Sequence, residues 1–381
     1  MKEIYLDNSA TTKPLPEVVE KITNTLTQKY GNPSSLHDKG LEAEKIVKKT
    51  RRLLAKYLNV NENNICFTSG GTESNNLAIR GTAYNYRKRG LHVITSSIEH
   101  SSVLESFIAL EEEGFEVTYL NTDRYGNISP EEVKNNIRED TILVSIHHIN
   151  NELGTIEPIN KIGKIIKEKN ENTLFHVDAV QSLGKVYLQP VSFLIDLLSI
   201  SGHKIHGPKG IGALFVNDGI NLIPFLIGGG QENNLRGGTE NVPGIAGLGA
   251  AVEALNSYTT ENNYDRNINE LKQFFIKKIN TYYPDVVINT PETSSPHIIS
   301  TAFPGVKGEV LVHSLAKKGI YVSTGSACHS RNREKSHVLR TIGLDKKLIE
   351  GTIRISLSRF NTKKELDYTA KQIKEQINKF F

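Results

Sequence analysis

The chain has 381 residues, of which 38% are hydrophobic and 23% charged, and its net charge is +4. These are the proportions of an ordinary globular protein, too long for one simple core and suited to a large domain with a smaller one. The apolar runs are only a few residues long, which excludes a membrane span, and the positive excess is spread out, which gives no basic block for direct nucleic-acid binding.

The opening MKEIYLDNSATT holds no apolar stretch of signal-peptide length. Two cysteines, Cys66 and Cys328, argue against a disulfide scaffold and for a reducing, cytoplasmic setting. LEAEKIVKKTRRLLAKYL (41–58) reads as an amphipathic helix, apolar at Ala43, Ile46, Val47, Leu54 and Leu58. Seven short apolar runs follow: NICFTS (64–69), LHVITSS (91–97), FEVTYL (115–120), ILVSIH (142–147), LFHVDA (174–179), LLSIS (197–201) and IGALFV (211–216). Most lack polar alternation, as strands buried on both faces do. Helical spacing separates several of them, as at Ile159, Ile162, Ile165 and Ile166. The class is therefore α/β, with a mainly parallel seven-stranded sheet flanked by helices.

Beyond the glycine cluster GGGQENNLRGGTENVPG (228–244), two long polar helices are expected to flank residue 259, followed by a compact α+β segment. The last helix opens on a capping box, Thr362-x-x-Glu365, and carries Leu366, Ala370, Ile373 and Ile377 on one face. The expected division is a large domain over 15–258 and a smaller one over 259–381, joined by residues 1–14.

The chemistry gathers at strand ends. In SGHKIHGPKG, Lys204 lies just past the LLSIS strand, where ligands of open α/β sheets bind, among glycines that allow close backbone approach. An isolated lysine there would be an ordinary solvated one; its company changes that. A lysine whose ammonium is destabilised can attack a carbonyl. Asp178 in HVDAVQS ends the preceding strand, where its carboxylate can hold the pyridine nitrogen of pyridoxal phosphate protonated, with Gln181 in reach of the ring hydroxyl; by itself it would serve equally as a helix N-cap. FTSGGTESNN is a strand, a glycine turn and a helix start, a phosphate cradle with Thr72 adding a hydroxyl, and it is neither a dinucleotide fingerprint nor a Walker loop. His100 in IEHSSV can stack on the ring, and Asn151 in HHINNELG stands within reach of ring or substrate. His147 and His148 have no carboxylate or thiolate at ligand spacing, so no metal site is expected. In STGSACHSRNREKSHVLR, Cys328 sits in a stretch without apolar periodicity, and His329, Arg331, Arg333 and Lys335 favour its thiolate. Cys66 lies within a strand and reads as a small buried hydrophobe.

Taken together, YLDNSATT, YGNPSSLH, TSGGTESNN, EHSSV, NNELG, HVDAVQ, SGHKIHGPKG, RGGTEN, GSACHS and IRISLSRF resemble the cysteine desulfurases of the NifS/IscS type, within the class V aminotransferase group of fold-type I pyridoxal-phosphate enzymes. The resemblance covers nearly the whole chain. It implies that Lys204 forms the imine with the cofactor, that His100 stacks on the ring, and that Asp178 and Gln181 hold its nitrogen and oxygen. Thr72, Ser201 and His203, with the backbone of Gly71, match the phosphate ligands, and Thr239 matches a ligand supplied by the second subunit of a homodimer. Asn151 and Arg354 match the groups that orient the substrate carboxylate, and Cys328 the nucleophile that accepts sulfur. Lys13 and His206 depart from the family's usual pattern at positions outside these roles. The implied reaction converts L-cysteine to L-alanine, leaves a persulfide on Cys328, and passes its sulfur to an acceptor protein for iron–sulfur clusters, thio-cofactors or transfer-RNA thiolation. The alternatives are a selenocysteine lyase or a class V aminotransferase, which need Lys204 and Asp178 but not Cys328, and a non-catalytic assembly scaffold.

Overall fold

The computed structural model describes residues 3–261, 264–325 and 336–380. In chain order its elements begin with β1 (Ile4–Tyr5), α1 (Pro16–Gln28), α2 (Asp38–Leu58), β2 (Ile65–Thr68), α3 (Gly71–Tyr86), β3 (His92–Ser96), α4 (Ser101–Glu112), β4 (Glu116–Leu120) and α5 (Pro130–Asn136). They continue through β5 (Thr141–His147), α6 (Ile159–Lys169), β6 (Leu174–Asp178), β7 (Leu197–Ser201), β8 (Gly212–Val216) and α7 (Val242–Glu261). The remainder is α8 (Tyr264–Tyr282), β9 (Val287–Ile288), β10 (Ile298–Ala302), α9 (Gly308–Ala316), β11 (Ile320–Tyr321), α10 (His337–Thr341), α11 (Lys346–Glu350), β12 (Thr352–Ser356) and α12 (Lys363–Phe380).

All seven apolar runs join one sheet, in the order β2-β8-β7-β6-β5-β3-β4. Its strands are parallel except β8, which runs antiparallel to both neighbours. Six of the strands are buried throughout, as their unalternating composition requires, and β4 at the edge is half-exposed. Inside this apolar sheet runs one polar rung: His176 on β6 bonds through Nδ1 to Ser145 Oγ on β5 (2.7 Å) and through Nε2 to Ser199 Oγ on β7 (2.9 Å). Both ring nitrogens are satisfied without charge, which is how a buried imidazole is tolerated.

The helices cover the two faces. On α2, Ala43, Val47, Leu54 and Leu58 are buried and Ile46 is partly so. The helix before residue 259 departs from expectation. Rather than polar, α7 is an apolar element packed on α1 and α2, with Ile245, Leu248, Ala251, Val252 and Leu255 in the main core. Its polar residues lie at its C-terminal end, and those made the whole segment read as solvated.

A second core collects Ile4 and Leu6 from the chain start with α8, α9, α12 and the β12-β10-β9 sheet. β1 pairs with β11, Ile4 opposite Ile320, and Asp7 bridges to Ser356 beyond it. The capping box of α12 is formed, with Thr362 N–H donating to Glu365 Oε2 (3.0 Å) and Glu365 N–H to Thr362 Oγ1 (3.2 Å). Leu366, Ala370, Ile373 and Ile377 face this core.

Burial pushes the pKa of His176 down to about 3 and, with the neighbouring His147, that of His148 down to about 4. His203 and His206 are likewise pushed down to about 4. Below the ordinary value of 6.5 the unfolded chain binds protons that the folded chain refuses, so stability falls as pH drops through this window. The buried carboxyl of Glu157, raised to about 8, opposes the trend with a single proton. Calorimetry should therefore record a Tm that declines steadily from about pH 6.5 to about pH 4. His176→Gln should flatten the slope by about 1.4 kcal/mol per pH unit, the share of one proton; a Tm indifferent to acid would contradict this account.

Candidate active site

Four strand ends and one helix start converge above the C-terminal edge of the sheet on a cavity of about 410 Å³. Its walls include Gly71, Thr72, His100, Asn151, Asp178, Gln181, Ser201, His203, Lys204 and Arg354. These ten residues, expected from sequence to act together, are thus brought together. Thr239 is not among them. It is exposed and borders a separate groove with Gly210, Arg236 and Asn241. Cys328 lies outside the described residues, as do His329, Arg331, Arg333 and Lys335.

Lys204 follows β7 on a single helical turn, Gly202–Lys204, and is partly buried. Its ammonium donates to the carbonyls of Ser9 and Ala10 (the latter at 2.9 Å). The chain start therefore forms the wall behind the lysine, and it is fastened there. Thr12 Oγ1 donates to His203 O (2.9 Å), Gln181 Nε2 donates to Ser9 O (2.9 Å), and Asn8 Nδ2 donates to Ser356 O (2.8 Å). The two departures noted in the sequence meet here as well, His206 Nδ1 donating to Lys13 O (2.9 Å).

Asp178 ends β6 and is 6% exposed. Its Oδ1 accepts from Val180 N–H (2.9 Å), the turn-capping role that any aspartate could fill, while Oδ2 accepts from Asn75 Nδ2 (2.8 Å). Asn75 also donates to Ser102 Oγ (2.9 Å), which bonds His100 Nδ1 (2.8 Å). One buried amide on α3 thus ties the aspartate to the histidine. His100 caps α4, its Nδ1 accepting from Ser102 N–H (3.1 Å), so the neutral ring carries its proton on Nε2. Burial lowers the His100 pKa, with Asp178 pulling it up and Lys204 pushing it further down.

The first turn of α3 also borders the cavity, through Gly71 and Thr72. Backbone N–H groups at a helix start lack intrahelical partners and attract negative charge. Thr72 and Ser201 stand beside that turn, and two glycines permit it. Gly70 has φ +152°, which side chains other than glycine rarely adopt, and a Cβ on Gly212 would lie 2.7 Å from Gly70 Cα. Opposite, Arg354 on β12 is 2% exposed. Its Nη2 pairs with Asp7 Oδ1 (2.9 Å), its Nη1 donates to Asn151 O (2.9 Å), and its Nε is buried with no partner among the described residues. Asn151 thus holds the arginine through its backbone.

The class-V aminotransferase family matches residues 4–369. A cysteine desulfurase IscS of Methanosarcina thermophila is 45% identical over 99% of this chain and 93% of its own. The chain belongs to the cysteine desulfurases of the class-V aminotransferase family. Among solved structures, a NifS-like protein superposes with a TM-score of 0.93 at 40% identity, covering 100% of both chains. SspA in complex with cysteine superposes with a TM-score of 0.83 at 37% identity, over 95% of this chain and all of that one. The mainly parallel seven-stranded sheet expected from sequence is the architecture of this desulfurase.

The sequence did not single out Asn75, Ser102, Asp7 or the Ser9 and Ala10 carbonyls. Asn75 lay inside a motif already quoted, but one polar residue in a helix carries no sign that it is buried. Asn75→Ala should leave Asp178 short of a charge-assisted donor, at a cost of about 1–3 kcal/mol. Absorbance titration of the unloaded variant with pyridoxal phosphate should show affinity weaker by on the order of tenfold or more, and undiminished affinity would refute the bridging role.

Proposed function

We propose that this chain is a pyridoxal-phosphate-dependent cysteine desulfurase that converts L-cysteine to L-alanine and moves the sulfur to Cys328. One observation carries the reading. Lys204, Asp178 and His100 line a single cavity together with Gly71 and Thr72 at the start of α3 and with Ser201. The donor set fits the cofactor: an amine for an aldehyde, a buried carboxylate for a ring nitrogen, and orphan amides with two hydroxyls for a phosphate. Gly70 and Gly212 keep side chains out of that cradle. Thr72, Ser201, His203 and the Gly71 backbone would hold the phosphate, Asp178 and Gln181 the ring edge, and His100 the ring face. When bound, pyridoxal phosphate supplies an electron sink for the carbanion formed at the substrate Cα.

The chain's own groups supply the rest. Arg354, preorganised by Asp7 and Asn151, orients the substrate carboxylate. Lys204 takes the Cα proton as a free amine, from a position already walled by carbonyls that accept its hydrogens. The Cys328 thiolate attacks the substrate sulfur, forming an S–S bond as the C–S bond breaks, so that cysteine and one thiol become alanine and one persulfide. Among the described residues no helix is long and apolar enough to cross a membrane. A cytoplasmic homodimer with Thr239 serving the partner's phosphate site, sulfur delivery to an acceptor or iron–sulfur scaffold protein, and the domain division at 258/259 belong to the same proposal.

Incubation with L-cysteine should yield alanine and a persulfide on the Cys328 peptide by mass spectrometry. Cys328→Ala should abolish persulfide and sulfide while keeping the bound yellow cofactor, and Lys204→Ala should lose turnover. Full activity of Cys328→Ala on cysteine would overturn the assignment of that thiol, and a protein that takes up no pyridoxal phosphate would overturn the whole reading.

A further inference from the structure

Three buried ionisable groups beneath the cavity have no part in the chemistry above. Glu99 and Glu157 are 0% and 1% exposed, and His147, 4% exposed, stands between them. Glu99 Oε1 accepts from Ser96 Oγ (2.6 Å) and from His147 N–H (3.1 Å), and is paired with His147 Nδ1 at 2.7 Å. Across the ring, His147 Nε2 lies 3.8 Å from Glu157 Oε1, and neither atom has a hydrogen-bond partner among the described residues. The other Glu157 oxygen accepts from Ile128 N–H (3.0 Å). No sequence spacing announced this, because the carboxylates reach His147 from the β3–α4 turn and from the loop after β5.

Its place gives the cluster consequence. Glu99 immediately precedes His100, and His147, itself part of the cavity wall, sits opposite Asp178 in the β5–β6 register. Two ionised carboxylates around one buried imidazole would leave a net charge in a medium that solvates it poorly, so the group is driven to retain an extra proton. The gap between Nε2 and Oε1 is too long for a hydrogen bond, and a small side-chain rotation would close it.

We propose that Glu99, His147 and Glu157 form a proton-holding cluster in which His147 and Glu157 each carry an exchangeable proton, Glu99 anchors the turn that presents His100, and the cluster's charge tunes the groups in the cavity above. The energetics agree. Burial raises the Glu157 carboxyl to about 8, and the Glu99 carboxylate, helped by Glu157, overrides the downward push of burial to hold His147 at about 9. The other ionisable groups that face the cluster are Asp178 on β6, Asp123 near Glu157, His148 beside His147, and His337, whose Nε2 bonds Glu99 O at 2.9 Å. At neutral pH His147 is charged and Glu157 protonated. In alkali the cluster becomes an anion beneath Asp178 and His100.

This inference rests on the cavity being the cofactor site, and the experiment separates the two. In the unloaded protein, difference infrared spectra between about pH 7 and about pH 10 should lose a buried carboxylic-acid C=O band that Glu157→Gln lacks. In the loaded protein, Glu157→Gln removes one carboxylate that ionises in alkali and should lower the pH midpoint of the cofactor's visible absorbance by about half a unit or more. His147→Gln removes the cation and should move the same midpoint upward. Opposite shifts distinguish a charge device from a packing role. Absence of the infrared band, or midpoints that stay put or move together, would overturn the proposal; if His147→Gln does not fold, the band and Glu157→Gln decide. Failure to bind pyridoxal phosphate at all would instead sink the reading of the site, leaving the infrared result to judge the Glu157 proton alone.

Discussion

The architecture is organised around holding one ammonium and one carboxylate out of bulk water without letting them collapse onto each other. Lys204 donates to main-chain carbonyls of the chain start, and Asp178 accepts from Val180 N–H and Asn75. Neutral dipoles thus solvate both charges inside the protein, and neither spends its strength on the other. A direct salt bridge would tie up both groups in each other and leave neither available to a ligand. Keeping the two apart requires a rigid frame, and the buried sheet supplies it: Asp178 closes β6 and Lys204 follows β7, its immediate neighbour.

That frame extends across both cores. Arg354 comes from the second core, yet its guanidinium is fixed by Asp7 from the chain start and by the backbone of Asn151 beyond β5. Ser9 and Ala10, which face Lys204, are carried on the segment that follows β1. The site is therefore a joint between the two cores, and its geometry depends on how they dock.

Much of this was legible in the sequence, and the reasons are physical. A strand buried on both faces must be apolar at every position, so the seven runs declared the sheet, and ligand groups of such sheets sit at strand ends, so Lys204, Asp178 and His100 could be nominated. What failed to show were contacts perpendicular to the chain. Asn75 looked like any polar helical residue until α3 was laid against β6. Glu99 and Glu157 are 48 and 10 residues from His147; the parallel pairing of β3 with β5 brings in the first, and the antiparallel bridge of Ile149 with Ile156 folds the second back onto the same imidazole. α7 was misjudged because its small apolar residues carry a weak hydrophobic signal and its polar end a strong one.

The pairing of Ile4 with Ile320 has a bearing on how the protein comes into being. Ile4 and Tyr5 have to wait for their partner strand until more than three hundred further residues have been made, and Asp7 waits longer still for Arg354. A loop of that size closes slowly. The α/β core, whose sheet is complete once β8 has been made, can therefore condense before β11 and β12 exist, and the Asp7–Arg354 side of the cavity is the last part to be put in place.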